Sequence, residues 1–183
     1  MLIAKEVETM RELQQILQLQ QLYLAGNNAA QEEKEQGFVT VHHTMEKLER
    51  LHQLAPSVIV KDNDEVVAYA LVMLNAAAEL IPELVSMFTM LQTLSYKNRP
   101  LDQYQYYVMG QICIHKSYRG RGIFELLYQK HKELMQPQYD FVVTEIAARN
   151  TRSIRAHEKT GFQLLHRFAD EREEWNVVLW DWQ

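Results

Sequence analysis

Apolar residues along this chain fall at alternate positions in some stretches and at every third or fourth in others. The switches between these two spacings divide it into strands and helices. MLIAKEV (1–7) alternates and predicts a strand. ETMRELQQILQLQQLYLAG (8–26) sets Met10, Leu13, Leu17 and Leu24 at roughly helical spacing. It predicts a helix closed by Gly26, with its glutamines on the solvated face. NNAAQEEKEQGF (27–38) reads as a loop, and HTMEKLERLHQL (43–54) as a second helix with Thr44 as N-cap and Pro56 just past its end. SVIVKDNDEVVAYALVML (57–74) is a hairpin, two β-branched runs around Asp62-Asn63-Asp64.

AAAELIPELVSMFTMLQTL (76–94) predicts a helix with Pro82 near its start, where a missing N–H costs little. YQYYVMGQICIH (104–115) is a strand, and IFELLYQKHKELM (123–135) a helix with apolar Ile123, Leu126, Leu127 and Leu134, closed by Pro137. YDFVVTEIA (139–147) is a further strand. TRSIRAHEKT (151–160) is a short helix capped by Asn150 or Thr151 and ended by Gly161. FQLLHRF and WNVVLWDW are final strands around the charged turn ADEREE. Hairpins at both ends and strand–helix–strand units in the second half predict a mixed α/β (α+β) fold, one sheet with helices on its faces.

Composition narrows the function classes. The chain has 183 residues with 47% hydrophobic and 23% charged, the profile of a single globular domain spanning 1–183. A formal charge of −5 argues against a nucleic-acid partner but allows a local anion site. One cysteine, Cys113, excludes an internal disulfide and a cysteine-based zinc site. The adjacent His42 and His43 point apart in a strand, so no metal is expected. MLIAKEVETM has no apolar run of signal-peptide length and no window reaches a bilayer span, so no membrane partner and a cytoplasmic location are expected.

The candidate chemistry begins at SYRGRGIF (117–124), between a predicted strand and a predicted helix. A helix start presents about four N–H groups without intrahelical partners and a partial positive charge. Gly120 and Gly122 allow positive φ and close approach of a ligand, and Arg119 and Arg121 add charge. The stretch is either a tight turn with surface arginines or a phosphate site.

Arg119-Gly120-Arg121-Gly122-Ile123-Phe124, introduced by Ile114-His115-x-x-Tyr118, resembles the Arg/Gln-x-x-Gly-x-Gly/Ala signature of the GNAT family of N-acetyltransferases. A second match follows in NTRSIRAHEKTGF, where Asn150, Ser153, Glu158, Lys159, Gly161 and Phe162 fit the family's segment. The resemblance covers residues 56 to 183, and the N-terminal third only in its order of elements. It implies a central, mostly antiparallel, splayed sheet with helices on both faces. It also implies acetyl-CoA as co-substrate, an amine of a small molecule or a peptide N-terminus as acceptor, and direct transfer. The turn and the start of the following helix, Arg119 to Phe124, would hold the coenzyme A pyrophosphate. Ile112, Cys113 and Ile114 would pair with the pantetheine arm, as would Asn150, and Ser153, which shares a helix face with His157 four residues on, would also contact the cofactor. Phe124 departs from the pattern, which has Gly or Ala there.

Two residues carry the expected catalysis. Glu145, five residues before Asn150, stands where several members hold a carboxylate base; its other reading is an ordinary strand glutamate. His157 stands where the family has a tyrosine acting as acid to the coenzyme A sulfur; its other reading is packing or bonding the cofactor. These departures leave a binding module that responds to acyl-CoA without turnover as the alternative. Around residues 75–102 the chain inserts an apolar helix where relatives have a short turn, serving as a roof to the acceptor site, a homodimer interface or extra core. Glu32, Glu33 and Glu35 are candidates for an acidic acceptor wall.

Overall fold

A computed structural model describes residues 1–24, 39, 41–82, 85–171 and 173–183. The first elements are β1 (Leu2–Glu6), α1 (Met10–Tyr23), α2 (Met45–Leu54), β2 (Val58–Asp62) and β3 (Glu65–Met73). Then come α3 (Val85–Leu91), the two-residue strands β4 (Ser95–Tyr96) and β5 (Arg99–Pro100), and β6 (Tyr106–Ile114). The remainder is α4 (Ile123–Met135), β7 (Phe141–Ala147), α5 (Thr151–Thr160), β8 (Gln163–Ala169) and β9 (Glu174–Asp181). Seven strands form one sheet in the order β1-β2-β3-β6-β7-β9-β8. Every neighbouring pair is antiparallel except β6 and β7.

Both faces of this sheet are covered, so β3 is apolar at nearly every position rather than at alternate ones. One face carries α1, α2 and α3, through Leu13, Ile16, Leu48, Leu51 and Phe88 packed with Tyr69 and Val143. The other carries α4 and α5, through Ile123, Leu127, Tyr128 and Ile154 packed with Tyr107 and Val178.

The start of α1 is locked by its own residues. Thr9 Oγ1 accepts from the Glu12 N–H, and Glu12 Oε2 accepts from the Thr9 N–H, each at 3.2 Å. The buried Glu12 carboxylate also meets Lys5 Nζ at 3.0 Å and Lys61 Nζ at 3.1 Å. Burial alone would raise its pKa, but the Glu8 backbone N–H and the two ammonium groups hold it at about 2. A folded-state pKa below the unfolded one adds stability that is complete above about 4.5 and lost as pH falls through about 2. Glu12→Gln is therefore expected to cost about 2–3 kcal/mol at neutral pH. The cost should vanish near pH 2, as denaturant unfolding at the two pH values will show.

A buried polar chain ties Val41 and His43 to α1 and the sheet. Gln20 Nε2 donates to His43 Nδ1 at 2.7 Å and to Gln111 Oε1 at 2.6 Å, and Gln111 Nε2 donates to the Val41 carbonyl at 2.8 Å. His43 is thus a fixed core residue. Helix α1 ends at Tyr23, and the expected stop at Gly26, the loop 27–38 and the acidic wall Glu32, Glu33 and Glu35 lie outside the described residues.

The stretch predicted as one helix over 76–94 is divided. A 3₁₀ turn spans Asn75–Leu80, Ile81 leaves helical geometry at φ −131° and ψ 82°, and α3 spans Val85–Leu91. Pro82 accounts for the break, because its ring disfavours helical geometry at the residue before it. The inserted segment buries Ile81, Met87, Phe88, Leu91 and Leu101 in the α1-side core. Its β4–β5 hairpin turns through Lys97 and Asn98, both at positive φ, and Lys97 Nζ reaches Asp181 Oδ2 of β9 at 2.7 Å. Of the roles open to the insertion, the described residues take that of core, at the end of the sheet where β6 and β7 begin.

Candidate active site

Strands β6 and β7 pair only from Tyr106↔Phe141 to Val108↔Val143 and then diverge. Two features force the divergence. Register between β3 and β6 shifts between Leu71 and Val72, which leaves Gly110 as an extra residue in β6. A Cβ at Gly110 would lie 1.9 Å from Met73 Sδ, so any side chain there would have to displace the buried Met73 thioether. Just before it, Thr144 Oγ1 donates to the Met109 carbonyl at 2.8 Å, where a strand partner would otherwise bond. The two strands open a cavity of about 350 Å³, within the range of small-ligand sites.

This cavity collects the candidate residues. Ile112, Cys113, Ile114, Arg119, Gly120, Gly122, Ile123, Phe124, Glu145, Asn150, Ser153 and His157 all line it. Arg121 does not; it is exposed, with its guanidinium 5.2 Å from the centre of the Tyr118 ring.

Gly120 and Gly122 sit at φ +76° and +74°, and Gly122 is the N-cap of α4 with no side-chain hydrogen bond to the helix. The first N–H groups of α4 thus lack the side-chain partner that Thr9, Thr44 and Asn150 give the starts of α1, α2 and α5. Arg119 is pinned above the cavity: its Nε donates to the Ile114 carbonyl at 3.0 Å and its guanidinium lies 4.9 Å from the Tyr23 ring centre. These groups fit an anionic diphosphate, with backbone donors and a fixed cation around an opening no side chain fills. Beyond Val108 the β7-facing edge of β6 has no strand partner among the described residues, which leaves backbone groups for an amide-bearing chain.

Asn150 caps α5 by accepting the Ser153 N–H on Oδ1 at 3.2 Å, and its NH₂ remains a donor for a ligand. Cys113 is buried, and burial pushes its thiol up to about 12, so it stays protonated. Glu145 is half-buried, and burial, with Asp170 adding negative charge, raises its carboxyl to about 7. A carboxyl that titrates near neutrality inside a cavity is suited to take a proton.

His157 differs from its expectation. The ring is 1% exposed, and burial lowers its pKa to about 4, against the effect of a backbone hydrogen bond at Ser153. Its Nε2 lies 2.7 Å from the Tyr128 hydroxyl and its Nδ1 2.8 Å from the Ser153 carbonyl oxygen. Neutral and engaged at both nitrogens, it has no proton to direct at a sulfur in this geometry. Phe124 is turned onto the same cluster, its ring centre 5.0 Å from that of Tyr128 and 4.9 Å from that of His157. The two departures from the motif therefore touch each other.

Tyr128, Thr144 and Gly110 were not singled out by sequence reasoning. Gly110 carried a signal, a lone glycine inside a strand pattern. Tyr128 carried a weaker one, four residues after Phe124 on the same helix face.

A family model described as Acetyltransferase (GNAT) family matches residues 13–162. No curated protein matches the chain. Among solved structures, the ribosomal-protein-S18-alanine N-acetyltransferase from Escherichia coli is 13% identical with a TM-score of 0.65, the match covering 99% of this chain and 94% of that one. The yncA structure from Salmonella typhimurium with its cofactor acetyl-CoA is 12% identical at TM-score 0.63, covering 100% and 94%. The NatC complex bound to Gag peptide and CoA contains a chain 11% identical at TM-score 0.65, covering 100% and 99%. At these identities the likeness is one of fold.

Proposed function

This chain belongs to the acetyltransferase (GNAT) family, and from that premise we propose that it is an acetyl-CoA-dependent N-acetyltransferase acting on a primary amine. The observation that carries the reading is Glu145: a carboxyl raised to about 7, in the same cavity as an uncapped, glycine-formed helix start. Acetyl-CoA, when bound, supplies an acyl group activated as a thioester.

The N–H groups at the start of α4, with Arg119, hold the diphosphate, and the exposed Arg121 adds charge from outside the cavity. The edge of Ile112, Cys113 and Ile114 and the Asn150 amide align the pantetheine arm. An ammonium group has no lone pair and ordinarily keeps its proton until pH ~10.4. Glu145, ionised above about pH 7, takes that proton at its carboxylate, directly or through one water, and leaves an amine able to attack. The acceptor is the amine of a small molecule or of a peptide N-terminus.

Calorimetric titration with acetyl-CoA and with coenzyme A, followed by thiol release across a panel of amines, tests this function. Binding with amine-dependent release is expected. Binding without release from any amine would overturn the enzyme reading in favour of an acyl-CoA-responsive module, and absence of binding would overturn both.

A further inference from the structure

Cleavage of a thioester leaves a thiolate, which is stabilised by a hydrogen-bond donor aimed at the sulfur. His157 has no proton for it, yet the hydrogen bonds of His157 single out a group that does. Its Nδ1 stands 2.8 Å from the Ser153 carbonyl oxygen, and two lone pairs do not face each other at that distance. Nδ1 therefore carries the ring proton and Nε2 is bare. The Tyr128 hydroxyl, 2.7 Å from Nε2, then acts as the donor. Tyr128 is fully buried, so this bond is shielded from water.

The same Nδ1–H stands 3.3 Å from Ser153 Oγ, so the serine oxygen is on the accepting side of that contact. Its own proton has no acceptor among the described residues. Ser153 is half-buried and lines the cavity, on the turn of α5 that Asn150 caps. Phe124 and Phe162 close on His157 edge-to-face, each with its ring centre 4.9 Å away, so the imidazole cannot swing to another partner.

We propose that Ser153 Oγ–H is the hydrogen-bond donor to the departing sulfur, set in that sense by the chain Tyr128 O–H to His157 Nε2 and His157 Nδ1–H to Ser153. This deepens the acetyltransferase reading and rests on it. The amine nitrogen forms the new bond to the acyl carbon, the carbon–sulfur bond breaks, and the sulfur keeps the electron pair. The ammonium gives its first proton to Glu145 before attack, and the second, carried on the nitrogen of the adduct, passes to solvent water. Ser153 donates a hydrogen bond and keeps its proton, and the sulfur takes its final proton from solvent. Ser153 is a catalytic residue; Tyr128 and His157 are positioning residues.

The experiment compares wild type with Ser153→Ala, Ser153→Thr and Tyr128→Phe in acetyl-CoA calorimetry, steady-state kinetics and thermal melting. Ser153→Ala is expected to lower kcat about 10- to 100-fold, the loss of one aimed donor, with the Kd for acetyl-CoA within about threefold. Ser153→Thr restores most of kcat because the hydroxyl returns. Tyr128→Phe leaves that Kd unchanged and lowers kcat about three- to tenfold by freeing the ring that orients the serine. Full kcat in Ser153→Ala, beside an active wild type, overturns the serine assignment alone. So does a loss confined to Kd, or a failure of threonine to rescue. A wild type that binds acetyl-CoA but releases no thiol overturns the acetyltransferase reading and the serine with it.

Discussion

Glu145→Gln is expected to bind acetyl-CoA with unchanged affinity and to lose about 10²- to 10⁴-fold in kcat at neutral pH, the range supplied by a positioned base. Glutamine keeps the size and the hydrogen-bonding oxygen of the side chain but cannot accept a proton. The wild-type rate should rise as pH passes through about 7, because burial and the charge of Asp170 set the pH at which Glu145 ionises. The variant should lose that step. Stability moves in the opposite sense. A carboxyl whose folded-state pKa is raised stabilises the fold fully below its unfolded value, near 4.5, and loses that contribution as pH rises through about 7. Glu145→Gln should accordingly melt higher than wild type at pH 8 and much like it at pH 4. A pH–rate profile coinciding with that of wild type would remove Glu145 from the base role, whatever the melting curves show.

Gly122→Asp should weaken coenzyme A binding by about 100-fold or more, equivalent to losing roughly 2–3 kcal/mol of charge-assisted hydrogen bonding. Steric exclusion inside the fold is not the reason. The nearest atom to a Cβ at this position is Glu125 Oε2 at 3.9 Å. An aspartate there accepts the free N–H groups of α4 itself, as N-cap residues do, and so occupies the donors that a diphosphate would use. It also puts a negative charge where the ligand is negative. The strain of a non-glycine residue at φ +74° adds about 1 kcal/mol. Gly122→Ala separates the effects, since it carries the strain without the carboxylate and should bind within about tenfold of wild type. Calorimetry and melting of both variants check this. Equal affinity in Gly122→Asp and wild type would mean that the diphosphate does not lie against this turn.

Much of the fold could be read before any coordinates because its signals are local. Thr44 and Asn150 cap helices through residues three positions away, which a linear reading contains. The glycines of the turn are legible because positive φ selects for glycine whatever the rest of the chain does. The insertion was legible as apolar but not as core, since periodicity does not name the surface that a helix meets. Its break at Ile81 was within reach, because Pro82 restricts the residue before it.

The site divides along the same line. By itself the sequence determined the residue types in the cavity, the order of strands and helices that carries them, and the cationic glycine turn. Each of these depends on identity and short spacing. Only the tertiary structure decided that β6 and β7 part after Val108, that Glu145 holds its proton to about pH 7, and that His157 does not hold a second one. Those outcomes depend on burial and on partners distant in the chain: Met73 beside Gly110, Asp170 near Glu145, and Tyr128 against His157. A proton's position reflects how much water and charge surround the group, and folding sets both.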